Sequence, residues 1–373
     1  MPSPRQILDA ALQRASAHIA EPVVDDPGIR NGVRFVCRNK SNRAGARFLM
    51  ACLLAKTQDP AVDIRKPYTE IGDADCYSGR TYDERYISGF ISEHDLPCNV
   101  TTAFLTPAFR TINTTLTPDL VIEGRPRELY QRTLQLLADV HTNAVSAEDL
   151  LVETMRCLLI YRDERRQRMK TLLEGLRASE GAMPLSAEGM VTLIQQHLNC
   201  PRSSRLPVLV VAAAYQAAEK HLGERVLPLQ VHTAADKQTG ALGDLQITLI
   251  DDDDVITSYE MKTRRVTRGD IDHALEKVSE SGAQIDNYIF ITTDVIEDDV
   301  KEYAAGIYER TGGIEVVVLD CIGFLRHFLH LFHRLRMQFL DTYQELVLEE
   351  PDSAVRQELK EALLGLRRAA ESN

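Results

Sequence analysis

Two carboxylates and one amine stand at the ends of two short apolar runs in the second half of the sequence. Asp244 opens the run DLQITLI, and Glu260 and Lys262 close the run VITSYEMK. Because side chains alternate along a β-strand, Glu260 and Lys262 are expected on the same face. A hairpin around residues 251–254 would bring Asp244 across from them. Such a group suits phosphodiester hydrolysis, in which carboxylates hold Mg²⁺ and the amine orients or deprotonates the attacking water.

The residues that follow this group favour a nucleic-acid substrate. The segment TRRVTR directly after Lys262 contains three arginines and no acid, at the point where the phosphate backbone of DNA would have to pass. These arginines are Arg264, Arg265 and Arg268. The arrangement resembles the PD-(D/E)xK nuclease core, which implies Asp244 and Glu260 as Mg²⁺ ligands and Lys262 at the water. An ExK triplet alone is common by chance, so a structural hairpin with solvated polar residues is the alternative.

Three further groups are weaker candidates for metal ligands. Glu219, near the end of the helix that precedes the sheet, is a candidate additional ligand, and a solvated residue beside Lys220 is the equal alternative. Residues 251–254 are four aspartates, but consecutive side chains in a turn splay apart, which predicts a solvated hairpin tip. The histidines of FLRHFLHLFHRLR share a helical face with apolar neighbours, which favours a packing or subunit-contact helix.

Hydrophobic periodicity predicts the elements that must hold the site. Residues 187–198 and 206–222 are predicted helices, the second buried on most of its surface. The elements predicted after them are strands at 226–232, 244–250 and 255–262, a helix at 269–281, a strand at 287–293, a helix at 295–310 and a strand at 314–320. Three consecutive strands followed by crossover helices predict a mixed sheet flanked by helices.

The first half of the chain is predicted to be mostly helical. Helices are expected at 4–20, 127–143 and 146–178, with Ser146 as the cap of the last, and Phe48 to Lys56 form the apolar face of another predicted helix. A loop-rich stretch lies between Asp59 and Arg127. The polar segment 178–186 predicts a domain boundary. The expected organisation is a DNA-recognition or structural domain (1–180), a nuclease domain (185–345) and a C-terminal helical tail (346–373). The fold class is therefore α/β for the sheet domain and α+β for the whole chain.

Composition sets broad limits on the function. The chain has 373 residues, of which 44% are hydrophobic, and this length and composition suffice for about two domains with a sizeable core. Its formal net charge is −12. The acidic balance excludes a wholly basic wrapper of nucleic acid but leaves room for a local basic groove. Neither a membrane span nor a secretion signal is evident, so a cytoplasmic protein with reduced cysteines is expected.

A local excess of positive charge lies in the first half. Residues 30–66 contain nine basic residues against two acids, which makes them a candidate phosphate-binding surface. An ordinary solvated helix face is the alternative. The following run, DIRKPYTEIGDADCYSGRTYDERYI, adds side chains that can read base edges. The DNA-contact candidates in this half are Arg38, Lys40, Asn42, Arg43, Arg80 and Arg85.

Several runs in this half resemble a known family. NRAGARFLMACLLAK, DIRKPYTEIG, YSGRTYDERYI, LPCNVTTAFLTPAFR and LTPDL, within residues 42–120, are similar to the restriction endonucleases of the SacI family. The GD…EMK core of the second half agrees with this resemblance. The resemblance implies a type II restriction enzyme that cuts a short palindromic site in double-stranded DNA with Mg²⁺ and works beside a cognate DNA methyltransferase.

The sequence departs from the motif at one position. The literal Pro118-Asp119 pair has no ExK at a suitable distance, so Gly243-Asp244 stands in the place of Pro-Asp. A two-fold symmetric target would call for a homodimer in which each subunit cuts one strand. Two alternatives remain open from the sequence: a modification-dependent or repair endonuclease on the same core, and a non-catalytic DNA-binding regulator in which the ExK group is accidental.

Overall fold

A computed structural model describes residues 2–40, 42–110, 112–177, 183–229, 242–250, 255–282 and 285–372. The chain divides into two compact units, Met1–Arg168 and Met169–Asn373. The Asp251 to Asp254 turn and most of the segment 178–186 lie outside the described residues. None of the described helices combines the length and the apolar character that crossing a membrane requires.

The first unit is built from helices. They are α1 (Pro4–Ala17), α2 (Pro27–Cys37), α3 (Ala44–Gln58), α4 (Gly79–Tyr82), a π-helix (Asp83–Ile87), α5 (Ser88–Glu93), α6 (Arg127–His141) and α7 (Ala147–Arg177, of which the residues up to Arg168 belong to this unit), with 3₁₀ turns at Thr69–Ile71 and Ala103–Leu105. α3 is the central helix, because every residue from Ala44 to Ala55 is buried. Its run of small and apolar side chains allows neighbouring elements to pack on all sides.

The predicted helices of this unit are present, and the structure adds α2 as well as α4, the π-helix and α5, the last three within the stretch expected to be loop-rich. The Ser146 hydroxyl accepts a 3.0 Å hydrogen bond from the Asp149 amide, as the predicted cap requires. In α2, Asp26 caps the helix through the Ile29 amide at 2.9 Å, and Pro27 occupies the first turn. Both features are common helix starts, so the sequence contains the signal for this helix alongside its basic residues.

The second unit contains a five-stranded mixed sheet. Its elements are α8 (Ala187–Leu198), α9 (Leu206–Leu222), β1 (Glu224–Val226), β2 (Leu245–Leu249), β3 (Val255–Lys262), α10 (Arg268–Ser281), β4 (Asn287–Thr292), α11 (Asp298–Ala305), α12 (Ile307–Thr311), β5 (Glu315–Asp320), α13 (Cys321–Leu331), α14 (Arg336–Glu349) and α15 (Gln357–Glu371). The strand order is β1-β2-β3-β4-β5. The first two pairings are antiparallel and the last two parallel, which confirms the predicted mixed sheet.

Two boundaries differ from the prediction. The first strand is Glu224–Val226 instead of 226–232, and residues 230–232 lie outside the described part of the chain. The single helix expected at 295–310 is two helices, α11 and α12, which meet at Gly306. Glycine is a poor interior helix residue because of its backbone entropy.

Helices cover both faces of the sheet. On one face, Tyr259, Ile289 and Ile291 join the core formed with α8, α9, α13, α14 and α15. On the other face, Tyr288, Phe290 and Val318 pack with apolar residues of α10, α11 and α12. Because neighbours along a strand point in opposite directions, Glu260 lies on the second face, the side of α10. Leu359 and Leu363 of the C-terminal helix α15 are buried in the first core.

Candidate active site

The hairpin of β2 and β3 brings the predicted residues together. Leu245 pairs with Tyr259 in the antiparallel register, so the next position outward places Asp244 across from Glu260. Directly opposed residues of an antiparallel pair share one face. The predicted convergence of Asp244, Glu260 and Lys262 therefore matches the backbone geometry.

Asp244 is held against the backbone of β3. One of its carboxylate oxygens, Oδ2, accepts a 2.7 Å hydrogen bond from the Met261 amide. Burial raises the pKa of the Asp244 carboxyl, and the negative charge of Glu260 raises it further, against the effect of the Met261 amide and of Lys262. The side chain is thus fixed in position while its charge is costly, a condition that a bound cation would relieve.

Glu260 and Lys262 form an ion pair beside Asp244. The Lys262 Nζ donates to Glu260 Oε1 at 2.7 Å, and the side chains of Lys262 and Glu260 are 22% and 15% exposed respectively. The second oxygen, Glu260 Oε2, lies 3.3 Å from the hydroxyl of Tyr288. That hydroxyl also donates to the Leu242 carbonyl at 2.8 Å. Tyr288 therefore connects the chain just before Asp244 with Glu260.

The donor set fits a hard divalent cation. Asp244 and Glu260 offer carboxylate oxygens, the ligands that Mg²⁺ and similar ions prefer. Asp244 Oδ1 accepts no hydrogen bond from any residue that the structure describes, which leaves this oxygen open to an ion. Burial of the charge and the repulsion from Glu260 both raise the Asp244 pKa, and a cation there would offset both.

The structure does not bring Glu219 to this group. Glu219 is a half-buried residue of α9, the helix that covers the opposite face of the sheet, where the Tyr215 hydroxyl lies 2.8 Å from the Tyr259 hydroxyl. The end of α9 meets the far end of β2, because the Gly223 carbonyl accepts from the Ile250 amide at 3.0 Å. Asp244 precedes Leu245, which packs in the core on the α9 side, so the Asp244 side chain is directed to the other face of the sheet, away from α9 and Glu219.

The three arginines after β3 are exposed but engaged by acids. Arg264 makes two hydrogen bonds to Asp270, at 2.6 and 2.9 Å. Arg265 pairs with Glu297, and Arg268 lies 3.1 Å from Asp299 and over the ring of Tyr303. Their side chains are 54–61% exposed. They are accessible to a phosphate, which would have to replace these partners.

Two of the DNA-contact candidates in the first unit have partners within the fold. Both polar atoms of the Asn42 side-chain amide form hydrogen bonds inside the unit: Nδ2 donates to the Tyr130 hydroxyl at 2.7 Å, and Oδ1 accepts from the Ala44 amide at 2.9 Å. Arg38 pairs with Glu164 and lies over the ring of Tyr161. These two residues therefore support the local structure, and nothing in their contacts marks them as DNA ligands.

The remaining candidates differ in exposure. Arg80 is exposed and pairs with Glu84 one helical turn away, at 2.7 Å. Arg43 is half-buried at the start of α3, whereas Lys40 and Arg85 are exposed. Arg85 forms no hydrogen bond or ion pair with the residues that the structure describes. The accessible cations of this set are therefore Lys40, Arg80 and Arg85.

Other members of the basic segment have internal partners. Arg47 is 1% exposed and pairs with the fully buried Asp83 at 2.6 Å. Lys66 binds Asp73 at 2.8 Å and Asp75 at 2.9 Å. Asp73 and Asp75 also stand with Cys76 as a group that could hold a metal, but the Lys66 ammonium already binds both carboxylates. Much of the positive excess at residues 30–66 is thus neutralised within the fold.

Two residues of the active-site region were not predicted from the sequence. Asp270 lies 3.9 Å from the Lys262 Nζ and forms a capping box with Thr267 at the start of α10. The T-x-x-D spacing was the available signal. No sequence pattern indicated a role for Tyr288, because its approach to Glu260 depends on the parallel register between β3 and β4.

A mixed sheet with helices on both faces, and with two carboxylates and a lysine on adjacent strands, is typical of restriction-endonuclease-like domains. Residues 185–293 match the family model of the SacI restriction endonuclease C-terminal domain. The resemblance to SacI-family type II restriction endonucleases is thereby confirmed through this domain. The match contains Asp244, Glu260 and Lys262, and it lies outside the runs of residues 42–120 that carry the resemblance in the first half. A comparison with curated proteins finds no match.

Proposed function

We propose that this chain is a type II restriction endonuclease that hydrolyses phosphodiester bonds of double-stranded DNA at a short palindromic site with Mg²⁺. The observation that carries the proposal is the convergence of Asp244, Glu260 and Lys262 within a domain of the SacI family. The three exposed arginines beside this group support a phosphate-bearing substrate.

Each of the three residues has a distinct role in this proposal. Asp244, fixed by the Met261 amide, and Glu260 would hold the ion through carboxylate oxygens. Bound there, Mg²⁺ would stabilise the negative charge that develops on the phosphate. Lys262, positioned by its 2.7 Å contact with Glu260, would orient the attacking water or accept its proton. Arg264, Arg265 and Arg268 would hold the flanking phosphates.

The proposal extends to the assembly and the cellular context. A palindromic site is two-fold symmetric, so we expect a homodimer with one active site on each strand. We expect the enzyme in the cytoplasm, where its DNA substrate lies, with a cognate DNA methyltransferase as its functional partner. Sedimentation of the protein with and without a duplex that contains its site would measure the dimer directly.

The decisive experiment is cleavage of a sequenced plasmid, with the ends mapped afterwards. We expect discrete cuts with Mg²⁺ and none with EDTA. Lys262→Ala should bind the same duplex in EDTA with unchanged affinity while its cleavage rate falls roughly 10²- to 10⁴-fold, the usual contribution of a proton-transferring group. Lys220→Ala, which removes an exposed lysine of α9, is the matched control and should cut normally.

Three results would contradict this proposal. Undiminished Mg²⁺-dependent cleavage by purified Lys262→Ala would exclude Lys262 from the reaction. A plasmid left whole by the wild-type protein under every metal condition, despite tight DNA binding, would instead indicate a non-catalytic DNA-binding protein. Cuts that appear only on methylated DNA would identify a modification-dependent enzyme.

A further inference from the structure

The Lys262 ammonium lies between two carboxylates. Glu260 Oε1 is 2.7 Å from Nζ, and Asp270 Oδ1 is 3.9 Å from it. Both Glu260 oxygens are engaged, one by Lys262 and one by Tyr288. A divalent ion on Glu260 would repel the adjacent ammonium, since like charges at this distance interact strongly in a partly buried site. A second carboxylate near the ammonium would keep Lys262 in the site once the metal occupies Glu260.

Asp270 is built to be that second carboxylate. Its Oδ2 accepts from the Thr267 amide and hydroxyl, at 2.9 and 2.7 Å, which fixes the side chain at the start of α10. Its Oδ1 accepts from Arg264 at 2.6 Å and faces Lys262. The side chain is only 11% exposed. Its hydrogen bonds to Arg264 and Thr267 lower the pKa of Asp270 to about 2 against the effect of burial, so the charge is present at any working pH.

We propose that Asp270 is a positioning residue for the cleavage reaction, which holds Lys262 at the attacking water when Glu260 binds the metal. The inference rests on the proposed nuclease function. Arg264 links Asp270 to the substrate, because Arg264 and Lys262 both interact with the Asp270 carboxylate. When a DNA phosphate binds Arg264 in place of Asp270, the Asp270 carboxylate interacts more strongly with Lys262.

Asp270→Asn is the direct test. Asparagine keeps an oxygen for the Thr267 cap and removes the negative charge that faces Lys262. We expect kcat for cleavage of a cognate duplex to fall roughly 10- to 100-fold, the usual effect of a group that supports a metal-site residue, with KM and DNA affinity in EDTA little changed. Asp270→Glu should retain more activity than Asp270→Asn, because its longer side chain can still reach the ammonium.

Thr267→Ala separates the cap from the charge. It removes the hydroxyl that caps α10 and donates to Asp270 while leaving the Asp270 charge and the hydrogen bond from the residue 267 amide in place. We expect its kcat to fall clearly less than that of Asp270→Asn, whatever happens to its melting temperature.

The outcomes separate the inference from the function on which it rests. Failure of the wild-type protein to cut any DNA would overturn the nuclease proposal itself. Cutting by the wild type together with a normal kcat for Asp270→Asn would overturn only the role of Asp270. Equal losses in Asp270→Asn and Thr267→Ala would show that α10 merely needs its cap, which also contradicts the positioning role.

Discussion

Gly243 occupies the position at which the family motif has proline. The local packing explains why a residue without a side chain is required there. A Cβ at this position would lie 2.5 Å from the Tyr259 carbonyl oxygen and 2.6 Å from the Ser258 hydroxyl. Real Cβ atoms do not approach backbone so closely, and the backbone of β3 cannot move aside at low cost. Glycine therefore lets the chain pass close to β3 immediately before Asp244.

This close approach predicts the effect of the smallest substitution. Gly243→Ala should push the 242–244 segment away from β3, lengthen the Asp244 to Met261 hydrogen bond and cost about 1–3 kcal/mol of unfolding free energy. Cleavage should fall more than DNA binding. Urea unfolding and a plasmid assay on the same preparations measure both effects.

Gly365 in α15 supplies the control for that substitution. A Cβ added at this position would meet no side chain or neighbouring element within 4 Å among the residues that the structure describes, and alanine favours a helix interior. Gly365→Ala should be neutral or slightly stabilising. Equal tolerance of alanine at both positions would contradict the packing argument for Gly243.

At the scale of whole elements, one buried histidine joins three helices of the second unit. His197 in α8 has no exposed surface. Its Nε2 lies 3.0 Å from the Leu359 carbonyl of α15, and its Nδ1 lies 2.9 Å from the Tyr343 hydroxyl of α14. A carbonyl only accepts, so Nε2 carries the proton and Nδ1 accepts from the tyrosine. The neutral ring is thus the form that fits.

This arrangement predicts acid sensitivity. Burial lowers the pKa of His197 from 6.5 to about 4, against the effect of the Leu359 carbonyl. The unfolded chain therefore binds a proton below about pH 6.5 that the folded chain does not bind until about pH 4. The contribution of His197 to stability is complete above this window and is lost as the pH falls through it, by roughly 3 kcal/mol in total.

Unfolding of His197→Gln at several pH values tests the point. Glutamine offers one donor and one acceptor but does not titrate. The difference in unfolding free energy between wild type and His197→Gln should therefore change with pH between about 6.5 and 4. His327→Gln, at an exposed histidine of α13, is the matched control. A pH-independent difference for His197→Gln would argue against a neutral buried ring.

At the scale of the whole molecule, a net charge of −12 has to be reconciled with a DNA substrate. The cations that follow β3 are not free: Arg265 is held by Glu297 and Arg268 by Asp299. DNA must exchange these acids for phosphates, which weakens non-specific binding and makes association depend on salt. The acids thus limit the affinity for DNA outside the target site.

Glu297→Gln tests this balance. It should release Arg265 and tighten non-specific duplex binding by roughly twofold to fivefold at low salt, the scale of an exposed ion pair. Glu345→Gln changes the net charge equally at an exposed position of α14 and should have a smaller effect. Titrations by fluorescence anisotropy at several salt concentrations give the comparison. Equal gains from both variants would mean that only the net charge matters.

The sequence by itself predicted most elements of the second unit, with β1 and the break at Gly306 as the exceptions, and it singled out Asp244, Glu260 and Lys262 as one group. Alternation along β3 put Glu260 and Lys262 on one face, and the apolar runs predicted β2, β3, β4 and β5 to within about one residue. These properties are local, since they depend on side-chain direction and periodicity within one segment. They were sufficient to recognise the nuclease-like core.

Only the tertiary structure decided which residues share the site. Register brought Tyr288 to Glu260, a helix cap brought Asp270 to Lys262, and the path of α9 separated Glu219 from both. Packing likewise turned Arg47 from a candidate surface charge into a buried ion pair with Asp83. The outcomes for Tyr288, Glu219 and Arg47 depend on contacts between segments distant in the chain, and a hydrophobic pattern specifies which face is buried without specifying which partner will meet it. The contact of Asp270 is local, but its side-chain direction is set by the capping box of the folded helix.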